Sequence, residues 1–125
     1  MTRSPAGDQR FRAKYRVRSM RDYQKVYRRR AVASDTLLVV YSCENAFDHP
    51  RLGLSVSRKV GGAVVRNRWK RLLRDAFRLR RHELPAGIDL VVAPRPDTTP
   101  ELSAVMESLI SLGRRAAKKL ARVRK

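Results

Sequence analysis

The apolar positions along the chain change their spacing several times, and each change marks an element. Met20, Tyr23, Val26 and Tyr27 recur at helical intervals behind Ser19, which has N-cap spacing to Asp22, so a helix over about 20–30 is expected. "TLLVVYSC", Thr36 to Cys43, is β-branched and aromatic and runs into the turn-forming "ENAFDHPR". "LGLSVS", Leu52 to Ser57, alternates strictly, with Leu52, Leu54 and Val56 on one side. These two segments read as an antiparallel pair of strands. Gly61 and Gly62 punctuate the chain before a long amphipathic segment that reaches about Glu83, where Pro85 and Gly87 stop it. "IDLVVA", Ile88 to Ala93, reads as a third, buried strand closed by Pro94 and Pro96. Thr98 or Thr99 is placed to cap a last helix, with Pro100 in its first turn and Leu102, Val105, Met106, Leu109 and Ile110 at helical spacing. Gly113 either breaks that helix or lets Ala116, Ala117, Leu120 and Val123 continue it.

The expected order is therefore α-β-β-α-β-α, an α+β fold with a mixed sheet and helices packed on it. With 125 residues the chain makes one domain, placed at 19–113. A basic arm over 1–18, anchored only by Phe11, Tyr15 and Val17, precedes it, and a basic tail over 114–125 follows.

Charge changes this picture. Thirty Lys and Arg against eleven Asp and Glu give a net +19, and they are blocked. Residues 1–30 carry +9, 31–65 zero, 66–81 +7, 82–113 −4 and 114–125 +7. Such self-repulsion works against a compact state, so a polyanionic partner is expected, and clustering of this kind favours nucleic acid over an anionic membrane. The single cysteine, Cys43, permits no internal disulfide and sits in an apolar run, where it reads as core. No apolar stretch approaches the ~18 residues of a membrane span, and the polar N-terminus lacks a signal-peptide core. A cytoplasmic protein is expected.

The segment "GGAVVRNRWKRLLRDAF", Gly61 to Phe77, is where cations and apolar residues crowd together most closely. At about 100° per residue, Val65, Trp69, Leu72, Leu73, Ala76 and Leu79 fall on one side, and Lys70, Arg71, Arg74, Arg78 and Arg81 on the other. Arg66 and Arg68 flank the apolar stripe and Asn67 lies on the polar side. Cations at a helix N-terminus oppose the macrodipole by typically ~0.3–1 kcal/mol each, so another interaction must favour them there. Phosphate supplies it, because guanidinium forks pair with phosphate oxygens where the free N–H groups of the first turn also point. An ordinary surface helix would intersperse Glu at i, i+4 spacing, and only Asp75 is available.

Tyr23 and Tyr27 stand one turn apart beside Lys25, Arg28, Arg29 and Arg30, with Tyr41 on a strand. Aromatic faces in a positive groove bind single-stranded nucleic acid by stacking, and the same spacing is also ordinary core packing. Catalysis by the chain itself is not supported: His49 and His82 are solitary, and Asp89 in its strand reads as an edge residue or a base with equal ease.

"RLGLSVSRKVGGAVVRNRWKRLLRDAF", Arg51 to Phe77, resembles the signature of the bacterial ribonuclease P protein component. "DYQKVYRR" from Asp22 resembles its first helix, and "GIDLVVAPRP" from Gly87 its last strand. The resemblance implies a ribosomal-protein-like domain with a left-handed βαβ crossover, against the usual hand. It implies a protein that binds a large catalytic RNA and assists the Mg²⁺-dependent removal of the 5′ leader from precursor tRNA. The RNA performs the chemistry, so no catalytic, metal or cofactor residue is expected in the protein, and neither DNA nor membrane is an expected partner. Carried over by position, Lys59, Arg66, Asn67, Arg68, Lys70, Arg71 and Arg74 would contact the catalytic RNA, while Tyr23, Tyr27, Tyr41, Ser55 and Ser57 would line a cleft for the leader. Tyr23 and Tyr27 stand where phenylalanines are usual, and Gly62 where asparagine is. A ribosomal-type or general RNA chaperone of similar architecture is the alternative, and a protein-only nuclease the third.

Overall fold

The computed structural model describes residues 13–123. Three helices and four strands follow in the order α1 (Met20–Arg29), β1 (Ala31–Ser34), β2 (Leu38–Glu44), β3 (Arg51–Leu54), α2 (Ala63–Arg80), β4 (Ile88–Pro94) and α3 (Leu102–Val123). The order agrees with the α+β expectation except for β1, a short strand that the sequence pattern hid. Its segment "AVAS" has no turn signal before it. The reversal out of α1 is made instead by Arg30, which adopts the left-handed conformation at φ 57° and donates its N–H to the Tyr27 carbonyl. At the other end of α1, Ser19 Oγ accepts the Asp22 N–H at 3.1 Å, as the cap spacing required.

The sheet runs β1-β2-β4-β3. β2 and β3 do not pair with each other, contrary to the antiparallel reading: β4 lies between them, antiparallel to β2 and parallel to β3. The reason lies in burial. β4 is apolar on both faces and needs a neighbour on each edge, as a central strand does. β3 ends at Leu54 rather than Ser57, although the Ser55 N–H still donates to Val92 O at 2.9 Å.

Alternation divides the two faces. Leu38, Val40, Leu52, Leu90 and Val92 point into the main core with Trp69, Leu73, Ala76 and Phe77 of α2 and Val105, Leu109 and Leu112 of α3. Cys43 and Val91 point the other way, under α1, where they meet Val26, Tyr23 and Tyr41. Cys43 is core, and burial pushes its thiol up to about 11. One position of the α2 wheel is corrected: Val65, in the first turn, is 40% exposed. Phe77, which the wheel left unplaced, is fully buried.

α3 starts at Leu102, later than the Thr98 or Thr99 cap anticipated, leaving Pro100 outside it. Thr98 Oγ1 donates to the Arg95 carbonyl at 2.6 Å, a turn of its own. Gly113 does not break the helix, which continues to Val123, and Leu84 packs where a side chain at 113 would stand: a β-carbon there would lie 2.5 Å from Leu84 Cδ2. Of the basic arm, residues 1–12 lie outside the described residues. Residues 13–17 pack on the domain, with Val17 buried and its N–H donating to Leu52 O at 3.0 Å.

Candidate nucleic-acid interface

The turn before α2 is built for one conformation. Arg58–Val60 forms a single 3₁₀ turn, closed by the Gly61 N–H on the Arg58 carbonyl at 3.2 Å. Gly61 then takes φ 154°, ψ −171°, where a β-carbon would meet Val65 Cβ at 2.9 Å, so only glycine fits. Lys59 rides exposed on this turn. Gly62 occupies the N-cap position of α2, where a β-carbon would find nothing within 4 Å, and the helix has no side-chain cap.

α2 buries Trp69, Leu73, Ala76 and Phe77 and turns its cations outward. They separate into two groups. At the C-terminal end, Arg78 Nη2 reaches Asp75 Oδ1 at 3.5 Å, Arg80 pairs with Glu83 and, at 2.8 Å, with Glu107 of α3, and the Arg81 guanidinium lies 4.1 Å from the centre of the Tyr15 ring. These cations hold the molecule together. In the N-terminal half, Arg68, Arg71 and Arg74 are exposed and Lys70 half-exposed, and among the described residues no carboxylate pairs with any of the four. Asn67 is exposed beside them, whereas Arg66 is half-buried, its Nε shielded from solvent without a hydrogen-bond partner.

The other candidate residues lie on the opposite side of the sheet. Tyr27, 39% exposed, meets Tyr41 of β2 edge to face with ring centres 5.0 Å apart. Tyr23 turns towards β3. Its hydroxyl accepts the Leu54 N–H at 3.0 Å and lies 3.4 Å from the Leu54 carbonyl, to which it donates. That hydroxyl is therefore used within the fold rather than held out for a base or phosphate. Ser55 and Ser57 follow the end of β3, Ser55 half-buried and Ser57 exposed at the start of the 3₁₀ turn.

A pair of shallow clefts joins the two sets. One is lined by Arg16, Asn67, Lys70, Arg71 and Arg74 and by the Asp75–Arg78 pair, and the next by Tyr23, Leu52 and Leu54 with Arg16, Lys70 and Arg74 again. Arg16, Lys70 and Arg74 thus form the shared wall between the cationic helix and the tyrosine side. Sequence reasoning missed Arg16 by assigning it to the arm. The signal was Val17, whose burial beside Leu52 fixes its neighbour in place.

Ion pairs tie α1 to the sheet beside its apolar packing on Cys43 and Val91. Arg51 of β3 pairs with its register partner Asp89 of β4 through two bonds, Nε to Oδ1 at 2.8 Å and Nη2 to Oδ2 at 2.6 Å. The same Nη2 reaches Asp22 of α1 at 3.3 Å, and Asn45 Nδ2 donates to Asp89 at 2.7 Å. Asp89 is 2% exposed and engaged throughout, which settles its reading as neither an edge residue nor a free base. The hydrogen bonds that Arg51 donates to Asp89 raise its pKa against the opposing effect of burial. At the far end of α1, Arg29 forms a two-pronged pair with Glu44, both bonds 2.9 Å.

The ribonuclease P family profile matches residues 11–117. The chain belongs to the ribonuclease P protein component family. It is 35% identical over 109 residues to the ribonuclease P protein component of Staphylococcus haemolyticus, an overlap of 85% of this chain and 96% of that one. The component from Clostridium botulinum is 38% identical over 103 residues, covering 81% and 93%. Among solved structures, the ribonuclease P protein of Thermotoga maritima superposes with a TM-score of 0.71 at 33% identity, over 79% of this chain and 96% of its own. That of Staphylococcus aureus gives 0.68 at 34% identity, over 78% and 91%. Family membership carries RNA binding with it, and no helix among the described residues is long and apolar enough to cross a membrane.

Proposed function

We propose that the chain is the cytoplasmic protein subunit of a ribonuclease P ribonucleoprotein, docked on the catalytic RNA through the N-terminal half of α2 and holding the 5′ leader of precursor tRNA on its tyrosine side. The observation that carries this reading is the group Arg68, Lys70, Arg71 and Arg74, which lacks internal carboxylates while the opposite side of the same helix is buried. A fixed cationic surface of this kind neutralises RNA phosphates and releases counterions. Tyr27 and Tyr41 supply sequence-tolerant stacking for an unpaired strand, and the wall formed by Arg16, Lys70 and Arg74 connects the two functions.

The protein's part is positioning. It contributes phosphate contacts and base stacking, and the RNA cuts the phosphodiester. The Mg²⁺ that the cleavage requires is assigned to the RNA, because the donors around the clefts suit it poorly. They are mostly cations, with the Asn67 amide and the Tyr23 hydroxyl, and the carboxylates in or near the clefts are paired with arginines, Asp75 with Arg78 and both Asp22 and Asp89 with Arg51.

Reconstitution with the RNA subunit at low Mg²⁺ tests the reading. Expected are 5′ maturation, tighter binding of precursor than of mature tRNA, and affinity for the catalytic RNA that falls with salt by ~0.7–0.9 log units per log unit for each phosphate neutralised. Equal affinity for precursor and mature tRNA would favour a general RNA chaperone instead.

A further inference from the structure

α3 changes character half-way along. From Leu102 to Gly113 its only charged residue is Glu107, and from Arg114 to Val123 it carries five cations and no acid. At about 100° per residue, Arg114, Arg115, Lys118, Lys119 and Arg122 fall within an arc ~140° wide, and all five are exposed. The helix dipole favours cations in the last turn, which accounts for Arg122 and leaves the other four unexplained.

Three of the five have neighbours inside the fold. Arg114 Nε donates to the Glu83 carbonyl at 3.2 Å, Arg115 stands within electrostatic reach of Asp35, and Lys119 Nζ donates to the Val32 carbonyl on β1. Lys118 and Arg122 have no hydrogen-bond or ion-pair partner among the described residues. The Lys119 bond fixes this stripe beside β1, which is the sheet edge opposite β3, three strand spacings or ~14 Å away. It is a surface separate from the N-terminal half of α2.

Its chemistry narrows the partner. Leu109, Leu112, Ala116 and Leu120 on the reverse of the stripe are buried in the core, so no apolar side remains to enter a membrane as an interfacial helix does. No aromatic residue lies between 114 and 123, so there is no platform for stacked bases. A row of exposed cations on a rigid helix suits the phosphate backbone of a folded RNA. α3 packs beside α2 on one side of the sheet, whereas Tyr27 and Tyr41 lie on the other, so the RNA that reaches α2 is the one within reach of α3. Lys118, Lys119 and Arg122 lie beyond the family match, which ends at residue 117.

We infer that the last turns of α3 are a second docking surface for the phosphate backbone of the catalytic RNA, on the β1 flank. The inference rests on the proposed function. Its test is the triple variant Arg115→Gln/Lys118→Gln/Arg122→Gln in the full chain, titrated with the catalytic RNA across a salt series. The log–log slope should become shallower by about 2, close to three phosphates' worth, with the thermal midpoint little changed. The charge-preserving Arg115→Lys/Arg122→Lys variant should keep the wild-type slope. A wild-type slope in the triple variant overturns the inference and leaves the proposed function intact. So does a loss confined to precursor tRNA binding by the assembled ribonucleoprotein, or one seen only with anionic phosphatidylserine vesicles. If the wild-type chain does not bind the catalytic RNA at all, the proposed function itself has failed.

Discussion

Tyr23 is seated on Gly53. A β-carbon at position 53 would stand 2.9 Å from Cε1, Cζ and the hydroxyl oxygen of that ring, and the hydroxyl in turn holds the backbone of Leu54. Glycine at 53 thus decides how closely α1 approaches β3. Gly53→Ala is expected to push the ring away and destabilise the fold by about 1–3 kcal/mol, as overpacking does. Tyr23→Phe keeps the ring and loses the bond to Leu54, at about 1 kcal/mol. Urea denaturation of both variants measures this, and a Gly53→Ala protein as stable as wild type would refute the close seat.

Tyr27 offers its ring to solvent, unlike Tyr23. Tyr27→Ala should weaken leader binding by about 1–3 kcal/mol if one base stacks there, with little effect on mature tRNA. Fluorescence titration of the assembled ribonucleoprotein with precursors of different leader length gives the comparison. Unchanged affinity in a folded variant would assign the ring to packing on Tyr41 alone.

Asp89→Ala leaves the Arg51 guanidinium, 13% exposed, without its main counter-charge. Breaking a buried pair by removing one partner costs about 3–5 kcal/mol. The two bonds that hold the Arg51 side chain against β4 would be gone, so the guanidinium that Asp22 of α1 reaches would no longer be fixed and α1 should loosen, seen as faster amide exchange across Met20–Arg29. Exchange rates equal to wild type would mean that the ionic tie is dispensable.

Gly62 stands at an N-cap with open space around it. Gly62→Asn, which restores the residue usual in the family, should stabilise α2 by a few tenths of a kcal/mol, since glycine is only slightly inferior to asparagine as a cap. A small rise in thermal midpoint is the readout, and a fall would show that the backbone there needs glycine.

Cys43 gives a pH dependence with a definite sign. Its thiol ionises near 9.0 when unfolded and about 11 when folded, because burial disfavours the thiolate. The contribution is therefore fully present below pH 9.0 and is lost as pH rises towards 11, where the unfolded chain has released a proton that the folded one keeps. Denaturation midpoints for wild type and Cys43→Ala should converge over that interval. At pH 8 the folded protein should also resist thiol reagents.

Local pattern made much of this legible. Ser19 and Asp22 announced α1, the wheel of α2 placed Trp69 opposite Arg71, and the apolar run at Ile88 marked the buried strand. The misreadings came where a distant residue decides. Leu52 alternates like a hairpin strand, yet its partner is Leu90, because β4 needs neighbours on both edges. Gly113 was open between a break and a continuation, and it lies within α3 against Leu84. Arg16 lines the clefts through the burial of Val17, which a short basic segment does not advertise. The spacing of Tyr23 suited stacking and core packing alike, and the bond from Leu54 that its hydroxyl accepts is not visible in that spacing.

The place of β4 between β2 and β3 has a consequence during synthesis. The parallel partner of β3 is completed only when Pro94 has left the ribosome, well after Ala63–Arg80. Until then Trp69, Leu73 and Phe77 have no closed sheet to cover them, while the arginines between them are already available to any nearby polyanion. Non-local pairing of this kind is slow to form, so a nascent chain passes through an interval in which its most adhesive helix is exposed on both sides.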